Sequence, residues 1–475
     1  MNIEAPNTFA YFVLLMWPLV VYWLYKRKSV QAATFWAIVG GFMWLPCGAA
    51  FDFPMIPALN KETLPNISAW FACMAVAKIR VPILGKNRLM RWLILIFLLS
   101  PFITVLLNGD VYQTANGDIA GITLYDAFSI LLGQFLYFLP FILARAIFKT
   151  SDDHILFFRL FGIAALIYAL PILFEIRMSP QLHAKIYGFF PGQYVQQMRD
   201  GGFRAPVFMG HALWVAIFLM AAMVSTAVLW RLKQRIYRFS AKSVWLFLLV
   251  LVILQKTLAP LIYAIFATIL IKFFSPKNIL RIVSILLFIG LSYPILSVLE
   301  IFPHQWLVEF FEGISHDRSL SLAFRFANEK LLLDHAQERL FFGWGSWGRN
   351  RVYAEWQGNE YGTTDGMWII TIGAFGLVNF FAQFGLIAVP AYRALKLANV
   401  IKSNVDIQLL LGHGILVAMF LIDQIPNASL SPWVWLICGA LQGRVEYITK
   451  FSPSPIPKPI GAGKPLVHMS YAHKQ

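Results

Sequence analysis

Between residues 318 and 335 the chain reads RSLSLAFRFANEKLLLDH, and this stretch concentrates groups suited to holding an anion. Arg318 and Arg325 are seven residues apart, nearly two helical turns, so a helix would place both guanidinium groups on one face. Glu329 follows Arg325 by four and falls on the same stripe. Phe324, Phe326, Leu331 and Leu332 would then lie along a membrane interface, making the segment an amphipathic helix. Arginine keeps its charge at any relevant pH and binds phosphate in a two-pronged fashion. The plainer alternative is a row of surface salt bridges. Downstream, ERLFFGWGSWGRN over 338–350 places Gly343, Gly345 and Gly348 where the backbone could approach a ligand, or simply turn. Asp365 stands at the mouth of an apolar run, as a helix N-cap or as a general base.

A second group precedes another apolar run. In GGFRAPVFMGHALWVAIFLM, 201–220, Arg204 comes just before the run, His211 lies about one turn inside it, and Arg199 is five residues upstream. Glu175 closes the preceding run, before Arg177. Ionisable groups inside a membrane face a cavity or a partner, which makes His211 and Glu175 candidates, although a packing histidine would satisfy the same pattern.

The elements that must carry these groups are transmembrane helices. The chain has 475 residues, 59% hydrophobic and 13% charged, with a mean hydropathy of +0.66. Soluble globular chains carry about 25% charge, so this is a polytopic all-α membrane protein. Apolar runs mark thirteen spans, near 8–25, 32–50, 65–82, 91–108, 123–147, 155–175, 209–230, 243–255, 258–274, 279–299, 367–391, 406–423 and 430–444. Twelve would serve if one is miscounted. The first run lacks a basic leader and ends in Lys26-Arg27-Lys28, the pattern of a retained first span. The formal charge of +16 would suggest nucleic acid in a soluble protein. Here Lys and Arg gather in alternate short loops, so the bilayer is the expected partner and nucleic acid is not. The positive-inside bias puts the N-terminus outside and the C-terminus inside. Cys47, Cys73 and Cys438 sit in apolar runs without metal-ligand spacing, so neither a disulfide framework nor a metal site is expected.

The chain therefore divides into N-terminal spans (1–175), a first long outer loop (176–208), middle spans (209–299) and a second long outer loop with the amphipathic helix (300–366). C-terminal spans (367–448) and a Pro-, Lys- and His-rich cytoplasmic tail (449–475), expected to be disordered, complete it. The outer loops carry Arg177, Arg199, Arg204, Arg318, Arg325, Arg339, Arg349 and Arg351, against the charge bias of their side, and an external anionic ligand would account for them.

Over roughly 175–385 these pieces resemble the O-antigen polymerase and O-antigen ligase superfamily of bacterial surface-polysaccharide enzymes. Arg199, Arg204, Gly210 and His211 resemble the family's first outer loop. Arg325 followed eighteen residues later by Gly343-Trp344-Gly345 resembles its second motif. Asp365-Gly366, eleven residues before Gly376-Leu377, stands where the family has a His-Asn pair. That replacement leans away from the ligase branch, where a histidine is typical at that position; Arg339-Leu340 stands near where the family has its usual His-Pro. The resemblance implies a GT-C-like helical glycosyltransferase of the bacterial inner membrane, with its site on the periplasmic face and no cofactor. A glycan on undecaprenyl diphosphate would be the donor and a second glycan the acceptor, with a chain-length regulator as an optional partner. Arg204 and Arg325 would meet the diphosphate, Asp365 or His211 would take the acceptor proton, and Arg199, Arg318, Glu329, Gly343 and Gly345 would bind substrate. No metal is required where arginine carries that charge. Rival readings are ligation of a finished glycan to lipid A core or protein, a lipid-linked-sugar transporter, and a non-enzymatic scaffold.

Overall fold

A computed structural model describes residues 5–53, 56–114, 117–199, 201–353 and 365–451. Residues 354–364 of the second long loop and the expected tail from 452 onward lie outside the described residues. The first half holds α1 (Thr8–Arg27), α2 (Val30–Phe35), α3 (Gly41–Trp44), α4 (Leu64–Ala75), α5 (Arg88–Leu106), α6 (Leu124–Ile147), α7 (Ser151–Met178) and α8 (Leu182–Tyr187). A π-helical turn, Trp36–Gly40, joins α2 to α3. Then follow α9 (Ala212–Arg231), α10 (Ala241–Leu254), α11 (Leu258–Phe273), α12 (Pro276–Val298), α13 (His304–Glu312) and α14 (His316–Gln337). The last three are α15 (Met367–Ala398), α16 (Asn404–Asp423) and α17 (Pro432–Phe451). Strands pair only as short hairpins among the described residues: β1 (Ala50–Phe53) with β2 (Ile56–Asn60), β3 (Tyr112–Thr114) with β4 (Gly117–Ile119), β5 (Met198–Arg199) with β6 (Gly202–Phe203), and β7 (Arg235–Ile236) with β8 (Phe239–Ser240).

A helix lies over each segment read as a span, and among the described residues eight helices are long and apolar enough to cross a membrane: α1, α5, α6, α7, α9, α12, α15 and α16. Val30–Trp44, α10 and α11 are apolar but shorter, and α4 has 12 residues. α4 stops at Ala75, well before residue 82, because the chain turns away through Lys78, whose φ is +55°. Polar caps set many of the boundaries. Asn7, Asn87 and Ser240 accept from the backbone of the first turn, and Thr150 with Asp153 forms a capping box.

The exposed faces match lipid. Phe12, Leu15, Leu19 and Trp23 of α1 recur at helical spacing and are all more than half exposed. On α11, Ile262, Phe266, Ile269 and Phe273 form a second exposed stripe. Apolar stripes of this extent are not left to water. They belong to a multi-pass membrane protein. The centre of the bundle is α9, buried along most of its length against α7, α10, α11 and α16, while α17 packs on α6 and α15.

Polar contacts between the connecting segments fall into two sets, one at each end of the bundle. At the first end Lys61 Nζ donates to the Phe208 carbonyl, Lys256 Nζ to that of Arg199, and Arg339 to Asp110, while the Met367 amide donates to the Gln424 carbonyl. At the second, Gln31 bonds Asp153, Arg145 bonds the Ile83 carbonyl, and Arg444 bonds that of Lys149. All the candidate site residues belong to the first end.

Candidate functional site

Two largely apolar cavities with a few charged side chains in their walls open at that end. One, of about 270 Å³, lies between α12, α14, the start of α15 and the chain at 425–426. Arg325 and Glu329, read on one helix stripe, and Asp365, read at the mouth of the next span, line it together. Arg325 Nε lies 3.9 Å from Asp365 Oδ2, and Arg325 Nη1 reaches 3.5 Å from the Pro426 carbonyl. Asp365 does not cap α15. Gly366 holds the N-cap position with no side-chain bond to the helix, and Asp365 turns to the guanidinium instead.

Glu329 is not paired with Arg325. The Tyr293 hydroxyl donates to both its oxygens at 2.9 and 2.7 Å, and His304 Nε2 lies 3.3 Å from Oε1. Burial pushes the Glu329 carboxyl above its ordinary range, against the lowering effect of those hydrogen bonds. The α14 face is also less regular than a single amphipathic stripe. Phe324 is exposed, Phe326 packs on the His304 ring at 4.5 Å, and Leu332 is buried. Arg318 is exposed in the first turn of α14, outside the cavity lining, and bonds to none of the described residues.

The larger cavity, about 520 Å³, lies between the end of β2 and the start of α9. His211 lines it, and it stands outside the helix rather than a turn within. It is the N-cap of α9: its Nδ1 accepts from the Leu213 amide at 3.1 Å, which leaves the ring proton on Nε2. Burial, with the charges of Arg204 and Arg199 nearby, pulls its pKa down to about 4, so it is neutral at pH 7.

The same cavity contains a charged pair that sequence reasoning missed. Lys61 is 7% exposed; its Nζ donates to the Phe208 carbonyl at 2.7 Å and to Cys47 Sγ at 3.3 Å, and lies 4.6 Å from the Phe42 ring centroid. The Glu62 carboxylate accepts no hydrogen bond from any described residue; burial raises its pKa, and Lys61 offsets part of the rise. The available signal was adjacency: Lys-Glu directly before a span is two charges in a largely apolar segment.

Arg204 lines neither cavity. It is 5% exposed and donates to the Gln196 carbonyl, and burial with Arg199 beside it brings its pKa to about 10, so it stays cationic. Its Nε has no partner among the described residues. Arg199 is exposed on β5, and its carbonyl is tied to Lys256 at 2.8 Å. The structure thus gathers Arg325, Glu329 and Asp365 in one cavity and His211 in another, with Arg204 and Arg199 near His211 but in neither lining.

The glycines approach packed neighbours, not an open site. Gly343 has φ +70°, and a Cβ there would meet Ala374 and Phe375 main-chain atoms at 2.5 Å. A Cβ on Gly345 would meet Ile122 Cδ1 at 2.1 Å. The Trp344 and Gly345 amides donate to the carbonyls of Gly373 and Ala374, both at 2.8 Å, so the loop is pinned to the kink of α15. Arg339 and Arg349, expected to await an external anion, both pair with Asp110, at 2.7 and 3.4 Å. Glu175 staples the first long loop: it accepts from the Gln181, Leu182 and Val207 amides at 3.1, 2.9 and 2.8 Å.

Among the described residues, no group of three or more His, Cys, Asp or Glu is placed to hold a metal ion. Fold and cavities together define an all-α, multi-pass membrane protein with two charged cavities at one end. No protein-family model matches the chain, and no curated protein matches it.

Proposed function

We propose that the chain is a membrane glycosyltransferase that polymerises undecaprenyl-diphosphate-linked repeat units into an O-antigen or exopolysaccharide. In this reading all thirteen helical segments are embedded in the bacterial inner membrane in a GT-C-like arrangement, and the end bearing the cavities is periplasmic. The charge bias supports that orientation, since Lys26, Arg27, Lys28, Lys86, Arg88, Arg235 and Arg238 lie at the opposite end.

The observation that carries the reading is Arg325 facing Asp365 at the cavity where α14 meets the start of α15. An acceptor sugar hydroxyl attacks the anomeric carbon of the donor's first sugar. The bond from that carbon to the diphosphate oxygen breaks, its electron pair leaves with the lipid diphosphate, and Asp365 takes the hydroxyl proton. Negative charge grows on the leaving diphosphate as the bond breaks. A guanidinium fixed there stabilises the transition state more than the ground state.

The test is to size lipid-linked glycans by mass spectrometry in a strain lacking the chain. Accumulated single repeat units, rescued by wild type but not by Asp365→Asn, support polymerisation. Long lipid-linked chains would instead make it a ligase, and an unchanged pool would remove glycosyl transfer altogether.

A further inference from the structure

We infer that the larger cavity is a binding site for a sugar ring, held by Lys61, Glu62 and His211 and stacked on Trp214. Its volume of about 520 Å³ falls within the roughly 300–1,000 Å³ of small-molecule sites. The polar groups around it are of opposite kinds. An ammonium has three N–H donors; two of those on Lys61 go to the Phe208 carbonyl and Cys47 Sγ, which leaves the third for a ligand. His211 offers Nε2–H, because its Nδ1 already accepts from the cap. The Glu62 carboxyl keeps an accepting oxygen in either protonation state, and no described residue donates to it.

The occupant must therefore accept from Lys61 and His211 and donate to Glu62 within one small space. A simple anion would meet the Glu62 carboxylate, a simple cation would meet Lys61, and an apolar molecule would leave three polar groups unpaired at a cost. Hydroxyl groups do both jobs, and a ligand with several of them matches all three. Trp214 selects a ring among such ligands. One of its faces stacks on Phe42, with centroids 5.2 Å apart and planes 10° from parallel, while the side chain also lines the cavity. A half-buried indole in the lining suits the C–H face of a pyranose.

The walls are fixed before any ligand arrives. Asn60 Oδ1 accepts from the Glu62 amide at 2.8 Å, and His183 Nε2 accepts from the Cys47 amide at 3.1 Å. Little ordering is then left to oppose binding.

The assignment rests on the proposed function only for a glycan as the natural ligand; the cavity chemistry stands without turnover. The experiment mixes full-length protein in detergent micelles with a pool of free hexoses, N-acetylhexosamines, hexuronates and their disaccharides, with sorbitol as an open-chain control. Saturation-transfer NMR then reads which ring protons touch the protein. At least one pyranose class should show transfer, sorbitol none, and Glu62→Gln and Trp214→Phe should each weaken binding at least about fivefold. Elution of both variants at the wild-type position on gel filtration establishes that they are folded. No transfer from any sugar in the pool, or transfer undiminished in both folded variants, overturns the site. Sugar contact together with an unchanged lipid-linked glycan pool would sink the glycosyltransferase and leave this site standing.

Discussion

Arg325 Nε and Asp365 Oδ2 stand 3.9 Å apart, with their side chains 45% and 42% exposed. At that exposure an ion pair contributes about 0–1 kcal/mol to stability. The separation exceeds a direct hydrogen bond and leaves the guanidinium's remaining donors for another oxygen. Arg325→Ala should therefore melt within about 1 kcal/mol of wild type and yet lose polymer synthesis by roughly 100- to 1,000-fold, the scale for removing a fixed donor to developing charge. Arg325→Lys should fall between the two, since it keeps the charge and loses the planar fork. Thermal melts in detergent and glycan sizing on the same variants check both halves. A large fall in melting temperature with normal polymer would make the pair structural.

Gly376 and Gly343 present a different case, in which stability is expected to move. A Cβ on Gly376 would lie 2.2 Å from the Phe341 carbonyl carbon and oxygen, and its φ of +73° disfavours any side chain. Gly376→Ala and Gly343→Ala should each destabilise by at least the ~1–3 kcal/mol of a strained backbone, with the clash added. Expression yield and melting temperature are the readouts. Wild-type melting in Gly376→Ala would mean that α15 straightens rather than kinks.

These two pairs also mark what the sequence makes legible. Helix positions were readable because apolar runs longer than a bilayer crossing have few other fates in water. The convergence of Arg325 with Asp365 was not, because the residues are forty positions apart and spacing cannot give a tertiary approach. Gly343 and Gly345 were recognised as close-approach positions, but sequence could not say what approaches. The answer is the backbone of α15 for Gly343 and the Ile122 side chain for Gly345. The contact of Glu329 with Tyr293 was not legible either, since helical spacing sees only partners on its own helix and Tyr293 comes from α12. Lys61 and Glu62 escaped notice because a two-residue charge signal in a short loop resembles ordinary solvation.

Arg349 shows how an arginine in a long loop can serve the fold. It is completely buried, donates to the Asp110 and Ala120 carbonyls at 2.9 and 3.2 Å, and pairs with the half-exposed Asp110 carboxylate. Asp110→Ala removes the only carboxylate paired with it among the described residues and also unpairs Arg339. It should cost about 1–3 kcal/mol. Asp110→Ala combined with Arg349→Met should recover part of that loss, because no buried charge is then left without a partner. A double-mutant cycle on melting temperatures gives the coupling, and strictly additive losses would mean that Arg349 is held by the carbonyls alone.

The histidines at the cavity end set a pH dependence with a definite sign. His211 and His183 both have native pKa values held down to about 4 from 6.5, mainly by burial. Between those values the unfolded chain binds protons that the native fold does not. Their contribution to stability is therefore fully present above pH 6.5 and is lost as the pH falls through 4. His183 has a clear structural reason, since its Nε2 must stay unprotonated to accept from the Cys47 amide while Nδ1 donates to the Phe189 carbonyl. Each histidine should account for on the order of 1–2 kcal/mol across the window, less than full conversion of the shift because neither ring is wholly sealed from solvent. Glu62 and Glu329, whose pKa values are raised, act in the opposite direction, so slopes must be compared between variants. Melting temperatures of wild type, His211→Gln and His183→Asn from pH 7 to 4.5 should show a shallower acid fall in each variant. Parallel curves would mean that folding does not lower the pKa of either ring, so that each takes up a proton in the native fold as readily as in the unfolded chain.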